Sequence, residues 1–197
     1  MRKFELIRPT KQNEEQAIEY IEEFKKYNSD INGVGGLYRY LNDYDGWLEK
    51  LEEDRKRIPN EEKVPAETFF LVRRKDDKII GMINIRLALN ERLKKYGGNI
   101  GYSIRPTERG KGYNKINLYL ALKFCKEQGL KEVLLDADLD NPASWKTMEA
   151  LGGECIREYY DDENDKCFVR DYIINVDNAI VNYGDNFEKI IESGEER

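Results

Sequence analysis

The sequence has no histidine. That removes the side chain whose ordinary pKa lies nearest neutrality, and with it the commonest general base. A zinc site would have to be built from carboxylates or single thiolates, so no metal is expected. Cysteine is scarce: Cys125, Cys155 and Cys167 are the three present. Odd in number and far apart, they form no CxxC pair and suggest no disulfide framework. No apolar run approaches the roughly 20 residues of a membrane span. The first residues, Met1-Arg-Lys-Phe-Glu5, lack a signal-peptide core. The expectation is a protein of the reducing cytoplasm with no membrane partner. Two phosphate-loop patterns are also missing. Neither GxGxxG nor GxxxxGK[ST] occurs, so neither a dinucleotide turn nor a nucleotide-hydrolysing loop is indicated.

What is present is a 197-residue chain, 40% hydrophobic and 37% charged. This supports a core under a heavily charged surface, and one domain with a terminal extension. The formal net charge is -6, so no global field favours nucleic acid and none is expected as a partner. Any anion site must come from a local cluster.

Apolar spacing divides the chain. A short strand over Lys3 to Arg8 precedes a helix from Asn13 to Tyr27, in which Ala17, Tyr20, Ile21, Phe24 and Tyr27 recur at helical intervals. Turn formers fill Asn28 to Gly36. A second helix is predicted over Asp45 to Arg57. The middle of the chain turns to β patterns at 68–73, 78–87 and 99–105, with Asp76-Asp77 as a hairpin turn. A helix follows from about Asn114 to Gln128, ended by Gly129. Next come a strand at 133–137 and a short helix from Asp140-Asn141-Pro142 to Gly152-Gly153. A hairpin of 155–160 and 167–174 turns over Asp161 to Lys166. Residues 177–197 read as a polar tail with at most one or two helical turns, outside a single domain of 1–176. The order predicts an α/β (α+β) mixed sheet with helices packed on it.

The stretch Arg105-Pro-Thr-Glu-Arg-Gly-Lys-Gly-Tyr-Asn114 carries more than a connection needs. A helix start offers unpaired N–H groups and partial positive charge. Glycines just before it let a phosphate approach the backbone, while Arg109 and Lys111 add charge. A solvated turn whose glycines relieve strain is the other reading of the same residues.

Arg109-Gly-Lys-Gly112-Tyr-Asn114 resembles the loop of the GNAT family of N-acetyltransferases, whose pattern is Arg or Gln, two residues, Gly, one residue, Gly or Ala. The surroundings agree: the strand ending Ile104-Arg-Pro106, the helix after the loop, the strand to Ala137, and Asn141-Pro-Ala-Ser144 leading to Leu151-Gly-Gly153. The resemblance covers roughly 68–174, which would be the CoA-binding core. It implies a mostly antiparallel twisted sheet in which strand 99–105 lies parallel to 133–137 and splays from it. Acetyl-CoA would be the cosubstrate, with no metal. Pantetheine would pair with backbone at Tyr102, Ser103 and Ile104. Pyrophosphate would sit on Arg109, Gly110, Lys111, Gly112, Tyr113 and Asn114. Asn141 and Ser144 would meet the pantetheine arm, although Asn141 also reads as a helix cap.

The chain departs from the family pattern at three places. Asn114 stands where Gly or Ala is usual. Asn99 stands where an acidic residue or histidine is frequent, and can only orient a water. Met148 stands where a tyrosine often protonates the leaving thiolate, and reads as core filler. Asp138, near Asp136 at the end of its strand, is the other candidate base. Tyr38, Tyr40 and Tyr44 fall where an acceptor would bind. The implied activity is direct transfer of acetyl from acetyl-CoA to a primary amine of a small molecule or protein. A silent acyl-CoA-binding protein is the alternative. The acidic balance fits a cationic acceptor, and a homodimer is left open.

Overall fold

The architecture is that of a computed structural model, which describes residues 3–163 and 166–193. Strand β1 (Phe4–Ile7) is followed by helices α1 (Glu14–Lys26) and α2 (Tyr44–Arg55). Then come β2 (Ala66–Arg73), β3 (Lys78–Arg86), a short α3 (Glu91–Lys95) and β4 (Ile100–Ile104). The rest is α4 (Tyr113–Glu127), β5 (Glu132–Asp138), α5 (Pro142–Glu149), β6 (Glu154–Asp161), β7 (Cys167–Asn175) and α6 (Val176–Ser193). The expected turn over 161–166 includes residues 164–165, which lie outside the described residues.

Strands β1-β2-β3-β4 form one antiparallel sheet, and β5-β7-β6 a second. Alternation along β2 sorts the core into two layers. Phe69 and Leu71 join Ile80, Ile83 and Ile85 beneath Leu118, Ala121, Leu122 and Cys125 of α4. Phe70 and Val72 join Ile79 and Met82 beneath Tyr20, Phe24 and Trp47 of α1 and α2. The first sheet is therefore buried on both faces. This explains why β2 reads as a continuous apolar run rather than an alternating one.

The expected parallel pairing of 99–105 with 133–137 is not formed as a ladder, and the sheet is not continuous. The two sheets touch at one joint. The Asn99 N–H donates to Leu134 O at 2.6 Å. The Leu134 N–H returns not to backbone but to Asn99 Oδ1, at 2.9 Å. The other side of that amide, Nδ2, donates to Arg86 O at 3.0 Å. A side chain thus takes the place of the next backbone partner, and the pairing stops. Among the described residues no backbone bond joins 101–104 to 135–138. A side-chain contact crosses instead, from the Tyr102 hydroxyl to Ser144 Oγ at 3.0 Å.

The expectation of a polar tail with at most one or two helical turns over 177–197 is corrected for 177–193, which lie in the helix Val176–Ser193. That segment is an 18-residue helix continuing directly from β7. Val176, Ala179, Phe187 and Ile191 are buried, with Ile180, Tyr183 and Ile190 beside them. These residues recur every three or four positions, so the polar composition hides one apolar stripe. The stripe lies on α4, where the rings of Tyr119 and Phe187 stack at 5.0 Å. The N–H of Lys3, before β1, donates to Ile191 O, tying the two ends of the chain.

Phe187→Ala should lower the unfolding free energy by about 3–5 kcal/mol, the usual cost of emptying a buried aromatic site. A solvated tail would show no change in urea melts. Asn99→Ala should cost about 1–3 kcal/mol for each of the two backbone groups it orphans, read in the same melts.

Candidate functional site

The site begins where β4 ends. Arg105 is extended before Pro106, as a residue preceding proline must be, and Pro106 opens a single 3-10 turn to Glu108. The chain then passes through Gly110 and Gly112 with φ of 78° and 77°, and α4 starts. These angles favour glycine, and a Cβ built at either position meets nothing within 4 Å. Gly112 is the helix N-cap and has no side chain to cap with. Among the described residues the amides of Gly110, Lys111, Gly112 and Asn114 donate no backbone hydrogen bond. By contrast α5 is capped from within, since Asn141 Oδ1 accepts from the Ser144 N–H at 3.3 Å. An uncapped helix start leaves backbone donors able to take an anion.

The basic side chains of the loop are employed differently than expected. Arg109 turns back on the protein. Its Nε donates to Ile104 O at 3.2 Å, its Nη2 to Ser29 Oγ at 2.9 Å, and it stacks 5.2 Å from the Phe24 ring. Lys111 donates to Glu108 Oε2 at 2.8 Å. Glu108 is buried and receives two further cations, Arg73 at 2.8 Å and Lys78 at 2.7 Å. Burial pushes this carboxyl up, but the hydrogen bonds from Arg73, Lys111 and Lys78 outweigh it and hold Glu108 well below the usual carboxylate range. The loop is therefore clamped at both basic residues, and its backbone is left to meet a ligand.

Above the loop lies a cleft of about 710 Å³. Tyr102, Ser103, Ile104, Arg109, Gly110, Gly112, Tyr113, Asn114, Asp138, Asn141 and Ser144 line it; Lys111 and Asn99 do not. Ser103 lies partly behind the wall, with its Oγ donating to Asn32 O at 2.6 Å and accepting from the buried Tyr20 hydroxyl at 3.0 Å. The buried Oδ1 of Asn114 has no hydrogen-bond partner. Turning that amide over would present its donors at the same place. Burial pushes the Tyr102 phenol above its ordinary value, against the Ser144 hydrogen bond that lowers it.

Asn99 is committed to the joint between the sheets, so its place is structural rather than catalytic. Met148 is buried and off the cleft wall, as a packing residue. A second cavity, of about 740 Å³, lies across the loop 31–36 and is lined by Tyr38 and Tyr40. Tyr44 is elsewhere, buried against Trp47 with its hydroxyl on Thr10 O. Asn32 lines both cavities. The neighbouring Gly33 makes this arrangement close, since a Cβ there would stand 2.2 Å from Gly101 O on β4. Sequence reasoning passed over Asn32, Asp30 and Arg86, each of which lines a cavity. The density of glycine in 33–36 was the signal that this loop must press against a strand.

Glu108 supplies a pH test. Its folded pKa is depressed, so its contribution to stability is complete above the unfolded value of about 4.3 and is lost as pH falls below it. Glu108→Gln should destabilise the protein at pH 7, and the gap to the parent should close as urea melts are taken down towards pH 3. A gap independent of pH would mean that packing, not charge, holds the residue.

The sequence matches the acetyltransferase (GNAT) domain family over residues 1–154. No protein of curated function matches it as a relative. Solved structures share the fold. A ribosomal-protein-S5-alanine acetyltransferase from Vibrio fischeri superposes with a TM-score of 0.66 at 16% identity, covering 90% of this chain and 95% of its own. RimJ from Mycobacterium smegmatis, solved with CoA-disulfide, gives 0.67 at 13% identity over 92% and 89%. The spermidine/spermine N-acetyltransferase SpeG from Vibrio cholerae gives 0.61 at 14% identity over 91% and 98%. At such identities the likeness carries the fold alone. The family match spans most of the chain: this chain belongs to the GNAT acetyltransferase domain family.

Proposed function

We propose that the protein transfers an acetyl group from acetyl-CoA directly to a primary amine, with the cosubstrate in the cleft between β4 and β5. The observation that carries this is the uncapped start of α4 opening on that cleft. Acetyl-CoA, when bound, supplies an acyl group activated as a thioester. The residues present suit it. The amides of Gly110, Gly112 and Asn114 point a row of donors at pyrophosphate, and Arg109 and Lys111 hold the loop in that shape. The edge of β4 released by the splay offers backbone groups to the pantetheine amides. Tyr102 and Ser144 span the gap, and Asn141 fixes the start of α5 beside them.

The acceptor belongs in the second cavity, which meets the cleft at Asn32. The protein's part in the chemistry is mainly placement: two bound reactants held in register need little further help from an acid or base. Glu108 is tied to its three cations. Asp30 and Asp138 are the other carboxylates on the cleft wall, and a proton released from the amine reaches either of them through water. Of the three cysteines, Cys125 is buried with its thiol pushed up to about 12 by desolvation, which unsuits it as a nucleophile. No covalent enzyme intermediate is needed. No described helix is long and apolar enough to cross a membrane. Among the described residues no cluster fit for a metal ion occurs. We place the protein in the cytoplasm because its three cysteines, odd in number and far apart, suggest no disulfide framework.

CoA should raise the melting temperature of the protein, since it binds the native state alone. Gly112→Glu should abolish that shift by setting charge and bulk in the cradle. Gly129→Glu is the matched control: it has φ of 80° and equally open surroundings, but no cleft. It should carry the same backbone strain and keep the CoA shift. A Gly112→Glu protein that still binds CoA would refute the cradle. Thiol release with a panel of amines then tests transfer, and tight CoA binding with no acceptor-dependent release would favour a silent acyl-CoA binder.

A further inference from the structure

The net charge of the whole chain is -6, yet the cavity assigned to the acceptor is lined by six cations and four carboxylates. The carboxylates are poorly placed to receive a cationic amine chain. Asp54 is already paired with Lys50 and Arg57. Glu49, Glu53 and Glu62 are exposed at the surface. The cations are different. Arg39 and Arg92 make no ion pair within 4 Å among the described residues, and neither does Arg86, which is half-buried at the end of β3.

Arg86 is the informative one. Its Nη1 donates to the carbonyls of Gly97 and Gly98 at 2.7 and 2.9 Å. Its Nε and Nη2 make no hydrogen bond among the described residues, neither is sealed from solvent, and Arg86 lines the cavity. Burial pushes the guanidinium's pKa down; Asp136 opposes this, and repulsion from Arg92 adds to it. A desolvated guanidinium, fixed by carbonyls on one nitrogen and not hydrogen-bonded at the others, is a fork for an oxyanion.

We infer that the acceptor amine also carries an oxyanion, a carboxylate or phosphate, which docks on Arg86 with Arg92 and Arg39 around it. The substrate class is then zwitterionic or anionic amines, not polyamines. This rests on the acetyltransferase reading for the role of the cavity. It follows from local charge and runs against the overall acidity, because charges exposed to solvent are screened by salt more than a half-buried guanidinium fixed in the cavity wall.

The test uses matched pairs on the full-length protein saturated with CoA: an amino acid against its carboxamide, phosphoethanolamine against ethanolamine, and spermidine alone. Binding by calorimetry and thiol release with acetyl-CoA are measured separately. The anionic member of a pair should bind about tenfold tighter than its neutral partner, as a charge-assisted fork predicts. The pair with the larger ratio distinguishes carboxylate from phosphate. Arg86→Gln should bring the ratio towards one. Because Arg86 also steadies Gly97 and Gly98, the exposed Arg92→Gln is made in parallel and should reduce the ratio in the same direction. Equal binding within both pairs, tighter binding of spermidine, or no binding by any member overturns the inference. Anionic amines that bind without releasing thiol would refute the acetyltransferase reading and leave this one standing.

Discussion

One interrupted pairing organises the molecule. At Asn99 a side-chain amide takes the hydrogen bond that a backbone carbonyl would otherwise accept from Leu134, and reaches across to Arg86 on the strand beyond. A continuous ladder would leave β4 and β5 with no exposed edge between them. Because the ladder ends after one bond, the edge of β4 is released, and Tyr102 spans to Ser144 where backbone would have closed. The cleft, the orientation of α5 and the access to the start of α4 all follow from that joint. Both sheets can then remain antiparallel and well paired within themselves, so the slot costs only the few bonds omitted at their boundary.

Charge is arranged on the same economy. A buried carboxylate is costly unless paired and hydrogen-bonded, and Glu108 meets that condition three times over. Its clamp draws together β2, β3 and the loop, through Arg73, Lys78 and Lys111. The consequence for the site is that the loop's cations are tied to protein partners, which leaves the backbone amides before α4 unbonded among the described residues. Their dipoles are held by the fold and need no reorganisation when a ligand arrives. The loop 31–36 makes the second economy. By pressing Gly33 against β4 it divides one open face into two cavities that share Asn32 as a wall.

The lining of the cleft beside α4 was legible because it is local. Gly110 and Gly112 stand within the turn they serve, Pro106 and the α4 periodicity bracket them, and Asn141 caps a helix three residues away. Every residue assigned to the cosubstrate except Lys111 reaches the cleft. The second cavity was legible only at Tyr38 and Tyr40. Arg86, Arg92, Arg39 and Asn32 lie on four different segments, and no spacing relates them. Asn99 was misread for a related reason: its position beside the strand suggested a catalytic water, while its two bonds run to residues 13 and 35 positions away. The final helix failed for want of a partner. A stripe of Val176, Ala179, Phe187 and Ile191 is an ordinary amphipathic pattern once α4 is known to lie under it, and looks like a polar tail without it.

What the sequence determined by itself were the elements and the glycine-bearing loop before α4, since helix periodicity, strand patterns and positive-φ glycines act over a few residues. The tertiary structure decided how the sheets part, where α6 packs and what charge lines the second cavity. Those depend on groups brought together from distant segments, and their desolvation, unlike a local propensity, exists only once the chain has folded around them.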